Sequence, residues 1–82
     1  MTFQQEIIKK YEKDGFLVLK NIRLNKSGFP DLQCLKDGVT IWIEVKEEND
    51  TLKPLQKKRI DDLISIGFDA FCIKKNKGVI YP

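Results

Sequence analysis

The chain has 82 residues, with 15 Lys and Arg, 12 Asp and Glu, two Cys and no His, and a formal charge of +3. So short a chain is expected to form one domain, residues 1–82, with a limited core that favours oligomerisation. The absence of His removes Ser-His and Cys-His nucleophile pairs and makes a zinc site with two cysteines a poor fit, so hydrolytic chemistry must rest on carboxylates, lysine or metal-bound water.

Phe3, Ile7, Ile8 and Tyr11 recur at helical spacing, and Asp14-Gly15 supplies a stop, which predicts an amphipathic first helix. Glu6 falls at the edge of its apolar stripe, within reach of Lys9 or Lys10. Phe16 to Leu19 reads as a first strand that Ile22-Arg23-Leu24 either prolongs or follows after a bend, and Asn25 to Gly28 reads as a turn. Leu32 to Leu35 and Thr40 to Lys46 are strand-like runs separated by Asp37-Gly38, a strong hairpin signal. A second helix is expected from Pro54 to Ile66, with Gly67 as its stop and Ile60, Leu63 and Ile64 as its buried stripe. Phe68 to Ile73 follows as a strand, parallel to the Thr40–Lys46 run because a helix connects them. Lys77-Gly78 begins a turn into Val79 to Tyr81, which reads either as a short edge strand or as an arm for a partner chain. Cys34 and Cys72 lie within apolar runs and read as small buried hydrophobes.

The chemistry concentrates in Gly28-Phe-Pro-Asp31 and Ile43-Glu-Val-Lys46. Alternation along a strand puts Glu44 and Lys46 on one side and Ile41, Ile43 and Val45 on the other, so an acid and a base become neighbours at a separation fixed by the backbone. Trp42 shares their side, either packing or meeting substrate. Asp31 enters the preceding strand, and pairing of the two runs brings it towards Glu44, where two carboxylates converge as a hard divalent cation requires. Either half alone is commonplace, as a strand-entrance Asp or a solvated charged face; their combination at this spacing points to metal-dependent phosphodiester cleavage. Gln56 lies four positions before Ile60, on the stripe facing the sheet, an unfavourable place for an amide without a partner, unless it remains exposed at the helix start.

Gly28-x-Pro-Asp31, Ile43-Glu-Val-Lys46 and Leu52-x-x-x-Gln56 ahead of a helix resemble the VRR-NUC domain, a branch of the PD-(D/E)XK nuclease superfamily, over nearly the whole chain. Small stand-alone members are similar to nucleases encoded by bacterial viruses. The resemblance implies an α/β fold with a compact αβββαβ restriction-endonuclease-like core and a mixed sheet, which agrees with the elements read from the residues. It implies an endodeoxyribonuclease using Mg²⁺ or Mn²⁺ held by Asp31, Glu44 and the Val45 carbonyl, with Glu6 joining from the first helix. Lys46 is then catalytic beside Asp31 and Glu44, and Gln56 positions a water or a phosphate. Branched or structured DNA, Holliday junctions among it, is the implied substrate, and a homodimer the implied assembly.

The charge distribution suits such a partner. Residues 1–30 carry six cationic against three anionic side chains, residues 31–50 two against six, and residues 51–82 seven against three. An acidic centre flanked by basic segments fits a site that takes a cation and a polyanion. Lys53, Lys57, Lys58, Lys74 and Lys75 are the candidates for phosphate contact, unless they are ordinary solvated charges. No apolar run is long enough to span a bilayer and no basic-to-apolar leader opens the chain, so a cytoplasmic location is expected, that of a bacterial host cell if a phage encodes it. Two other readings remain: a catalytically inactive nuclease-fold DNA-binding module, and a small interaction protein whose charges are incidental.

Overall fold

A computed structural model describes residues 1–82. The order is α1 (Phe3–Lys13), β1 (Leu17–Lys20), β2 (Leu32–Lys36), β3 (Val39–Lys46), α2 (Pro54–Ser65), β4 (Asp69–Lys74) and β5 (Gly78–Tyr81). The five strands form one sheet in chain order; β1, β2 and β3 are antiparallel, β4 joins β3 in parallel through α2, and β5 closes the other edge antiparallel. This is the expected mixed α/β sheet, with the C-terminal edge strand formed.

Local chemistry explains the boundaries. Thr2 caps α1 reciprocally, its hydroxyl accepting from Gln5 N–H at 3.1 Å while its own N–H donates to Gln5 Oε1 at 2.8 Å. Asp37 and Gly38 both take positive φ, 51° and 78°, giving the primed two-residue turn whose twist suits a hairpin. β1 ends at Lys20, which pairs with Leu32, the first residue of β2. Ile22 to Leu24 therefore have no strand to pair with and form a loop, not a continuation of β1.

The two helices cover opposite faces. Beneath α1, Ile7 packs with Leu32, Cys34 and Ile43, flanked by Ile41, Val45, Phe71 and Ile73. Beneath α2, Ile60 and Leu63 pack with Ala70 and Cys72, flanked by Phe29, Trp42 and Leu52. The alternation of β3 is thus divided between two cores. Trp42 packs, against Phe29 and Phe68 with ring centroids 6.0 and 6.2 Å away. Ile64 departs from the expected stripe: the buried residues of α2 are Ile60 and Leu63, with Gln56 half-buried on the same line, and Ile64, one residue further round, stays 41% exposed. Both cysteines are buried and free, and burial raises each thiol to about 11.

Candidate active site

Asp31 stands immediately before β2, after the buried Pro30. Its position is fixed from behind by Asn21, whose backbone N–H donates to the Asp31 carbonyl at 2.7 Å and whose side-chain amide donates to the Pro30 carbonyl at 2.9 Å. The carboxylate faces β3, where Oδ2 accepts from Val45 N–H at 3.2 Å. Because a strand residue directs its N–H and C=O to the same edge, the Val45 carbonyl opens to the side on which Asp31 stands. The next carbonyl faces the other way, Lys46 accepting from Lys75 N–H at 2.9 Å.

Glu44 and Lys46 are neighbours on β3 as alternation requires, but they do not lie on an open face. Glu44 is 3% exposed and Lys46 5%, because α2 and the 47–53 segment cover that side of the sheet. Glu44 Oε2 is doubly occupied, accepting from Gln56 Nε2 at 3.3 Å and lying 3.5 Å from Lys46 Nζ. Gln56 is oriented in turn by the Lys53 N–H, which donates to its Oε1 at 2.9 Å and leaves its NH₂ group directed at Glu44. Lys46 Nζ lies 3.8 Å from Asp50 Oδ2, one turn-length further along the chain.

Glu44 Oε1 is buried and has no hydrogen-bond partner. A half-satisfied carboxylate in such surroundings resists ionisation: burial, then the Asp31 carboxylate, raises its pKa to about 7, against the opposing pull of Lys46. An orphaned carboxylate oxygen, a second carboxylate and a carbonyl on the same edge form an incomplete oxygen shell. Those donors fit a hard divalent cation, with water filling the remaining positions.

The structure brings together Asp31, Glu44, Val45, Lys46 and Gln56. Glu6 lies exposed on α1, makes no ion pair with Lys9 or Lys10, and does not join a cluster of three acidic or thiol side chains. Of the candidate phosphate-binding lysines, Lys53, Lys57, Lys58 and Lys75 are exposed and Lys74 is half-buried. Lys58 is already engaged with Asp62 at 3.2 Å, and Lys57 lies over the Tyr81 ring. Sequence reasoning did not single out Asn21 or Asp50. Asn21 is a turn-type residue directly after a strand, and Asp50 follows Lys46 by four positions; both signals are too common to stand alone.

The VRR-NUC domain family matches residues 2–75. A solved VRR-NUC domain structure is 32% identical, superimposes with a TM-score of 0.73, and is matched over 84% of this chain and 76% of that one. The Hjc Holliday junction resolvase of Archaeoglobus fulgidus shares the fold, with a TM-score of 0.67 at 20% identity over 89% of this chain and 65% of the resolvase. No curated protein matches the sequence significantly. No helix is long and apolar enough to cross a membrane. With the Pro30-Asp31 and Glu44-x-Lys46 elements assembled at one end of a mixed sheet, the chain belongs to the VRR-NUC domain family, nucleases of the PD-(D/E)XK type.

Proposed function

We propose that the protein is a metal-dependent endonuclease that hydrolyses phosphodiester bonds in branched or structured DNA, four-way junctions included, and that it acts as a homodimer. The observation that carries this reading is the unpartnered Glu44 Oε1 beside the Asp31 carboxylate, a buried acceptor that a divalent cation would satisfy. Asp31, Glu44 and the Val45 carbonyl would hold Mg²⁺ or Mn²⁺; Glu6, exposed on α1 and outside that cluster, is not part of this ligand set. Bound there, the ion would supply Lewis-acid polarisation of the phosphoryl group and would lower the pKa of a water.

The chain's own residues do the rest. Lys46 Nζ, held between Glu44 and Asp50, orients the attacking water and stabilises the charge that develops on the phosphorane oxygens. Gln56 fixes the Glu44 carboxylate through Oε2, so that Oε1 is the atom left for the ion. The rigid β3 backbone sets the separation of these groups. Lys53, Lys57, Lys58, Lys74 and Lys75 bind flanking phosphates. Branched DNA is favoured because a solved structure of the same fold belongs to a Holliday junction resolvase, and because a body this small reads shape and phosphates more readily than sequence. Dimerisation is supported by the exposed Leu17 and Leu19 on the free edge strand β1.

The test is cleavage of labelled four-way junction, flap and linear duplex DNA with Mg²⁺, Mn²⁺ or EDTA, with Glu44→Gln in parallel. Metal-dependent cutting of the junction that the variant loses supports the reading. Tight junction binding by the wild type without cutting under any condition replaces it with the binding-module reading.

A further inference from the structure

The connection between β1 and β2 is held at both ends and free in the middle. Asn21 ties its start to Pro30 and Asp31. Its far end rests on α2: Arg59 Nε donates to the Ser27 carbonyl at 2.9 Å, and the Arg59 guanidinium lies 5.1 Å from the Phe29 ring centre. Gly28 has φ +86°, and a Cβ there would come within 2.7 Å of Leu55 Cγ, so the loop approaches α2 as closely as a glycine permits. Between these anchors, Ile22 to Lys26 are exposed and make no hydrogen bond or ion pair.

The loop encloses an open hollow of about 510 Å³ whose lining includes Asn21, Ile22, Arg23 and Lys26 and no acidic residue. Ile22 is 87% exposed. Two cations without an ion pair follow an almost fully exposed isoleucine, in a loop whose base fixes Asp31. Cations without counter-charges beside an exposed apolar side chain match nucleic acid that is both charged along its backbone and apolar at an unstacked base.

We propose that the 22–26 loop is a second DNA-binding element, separate from the lysines of α2 and β4, in which Arg23 and Lys26 take backbone phosphates next to the scissile one and Ile22 packs against an unstacked nucleotide. This rests on the nuclease reading above and adds to it the element that recognises an opened strand, as at a branch point. Because Asn21 joins the loop to Asp31, a strand seated on the loop is carried to the carboxylate pair.

The experiment titrates fluorescent four-way junction DNA with the full chain in EDTA across a range of KCl concentrations, using wild type, Arg23→Ala/Lys26→Ala and Ile22→Ser, with thermal unfolding and sedimentation of each. The proposal expects the double variant to bind on the order of ten-fold more weakly and its log-affinity to log-salt slope to fall by about two, one for each phosphate left unneutralised. Ile22→Ser is expected to weaken junction binding several-fold with the salt slope unchanged, at wild-type melting temperature. Binding by the double variant within two-fold of wild type at an unchanged slope overturns the proposal. So does conversion of an Ile22→Ser dimer to monomer with DNA affinity intact, which would make the loop a self-association surface. Wild-type junction cutting in a parallel reaction with Mg²⁺, alongside either of those results, leaves the nuclease reading standing and removes only the loop's role, whereas a wild type that neither binds in EDTA nor cuts any DNA with Mg²⁺ or Mn²⁺ removes both.

Discussion

The two faces of the sheet are built differently. Beneath α1 the core is wholly apolar, Ile7, Leu32, Cys34 and Ile43 meeting without a buried charge. Beneath α2, Ile60, Leu63, Ala70 and Cys72 share their layer with a buried carboxylate and a buried lysine. One face follows the rule that apolar burial drives folding, at roughly 25 cal/mol per Å². The other accepts the desolvation of Glu44 and Lys46, a cost that ion pairing offsets only in part. A protein this small has two layers in which to place a site, and it has concentrated the strained polar chemistry in one of them.

The largest expected effect breaks the α2 face. Glu44→Ala removes the orphaned carboxylate and should abolish both metal binding and cleavage. Lys46→Ala keeps both carboxylates and should leave metal affinity within a few-fold while slowing single-turnover cleavage by roughly 10²–10³. Normal turnover by the lysine variant would remove its assigned role. On the α1 face, Ile43→Ala should cost about 2–5 kcal/mol in urea unfolding, as large-to-small changes at fully buried sites do. Its cost should be independent of added Mg²⁺.

A smaller effect sharpens the contrast, because the Glu44 carboxyl should make the stability of the metal-free protein depend on pH in a way that Glu44→Gln removes. The Glu44 pKa is about 7 in the fold against an ordinary 4.5. The folded state therefore holds a proton that the unfolded chain releases. Stability from this group is full below about pH 4.5 and is lost as pH rises through about 7. In chelator, wild type should lose roughly 1–3 kcal/mol between pH 5 and 8.5 from this residue, and Glu44→Gln should lack that slope. Thermal unfolding across that range measures it; parallel curves for the two proteins would show that Glu44 is not strained. Gln56→Ala frees Glu44 Oε2 of its amide and should weaken Mn²⁺ binding by roughly 10–100-fold with little change in fold. Unchanged Mn²⁺ affinity would make Gln56 a helix-start residue only.

The division between faces was partly legible in the chain. Local signals carried most of the fold: the period of Phe3, Ile7, Ile8 and Tyr11, the Asp37-Gly38 turn, and Pro54 and Gly67 bracketing α2 all mark the elements they form. Alternation along β3 placed Glu44 beside Lys46, and the position of Gln56 on the Ile60 stripe placed its amide against the sheet. Whether the charged face lies open or covered was not legible, since alternation gives the side of a strand and not what packs on it. Asp50 reaches Lys46 only because the chain turns back after β3, and Asn21 reaches Pro30 and Asp31 only because β2 begins opposite Lys20. Ile22-Arg23-Leu24 has strand-like composition, but β propensity is expressed only where a neighbouring strand completes the ladder.

The central claim is that Glu44 is buried half-satisfied in order to hold a divalent cation. It is tested most directly by calorimetric titration of Mn²⁺ into wild type and Glu44→Gln at pH 7, in buffers of different ionisation enthalpy. The account predicts that wild type binds the ion and releases protons as it does so, since burial and the Asp31 carboxylate raise the Glu44 pKa and leave the carboxyl partly protonated beforehand, and that the variant does not bind. Equal affinity and equal proton release in the two proteins would contradict it.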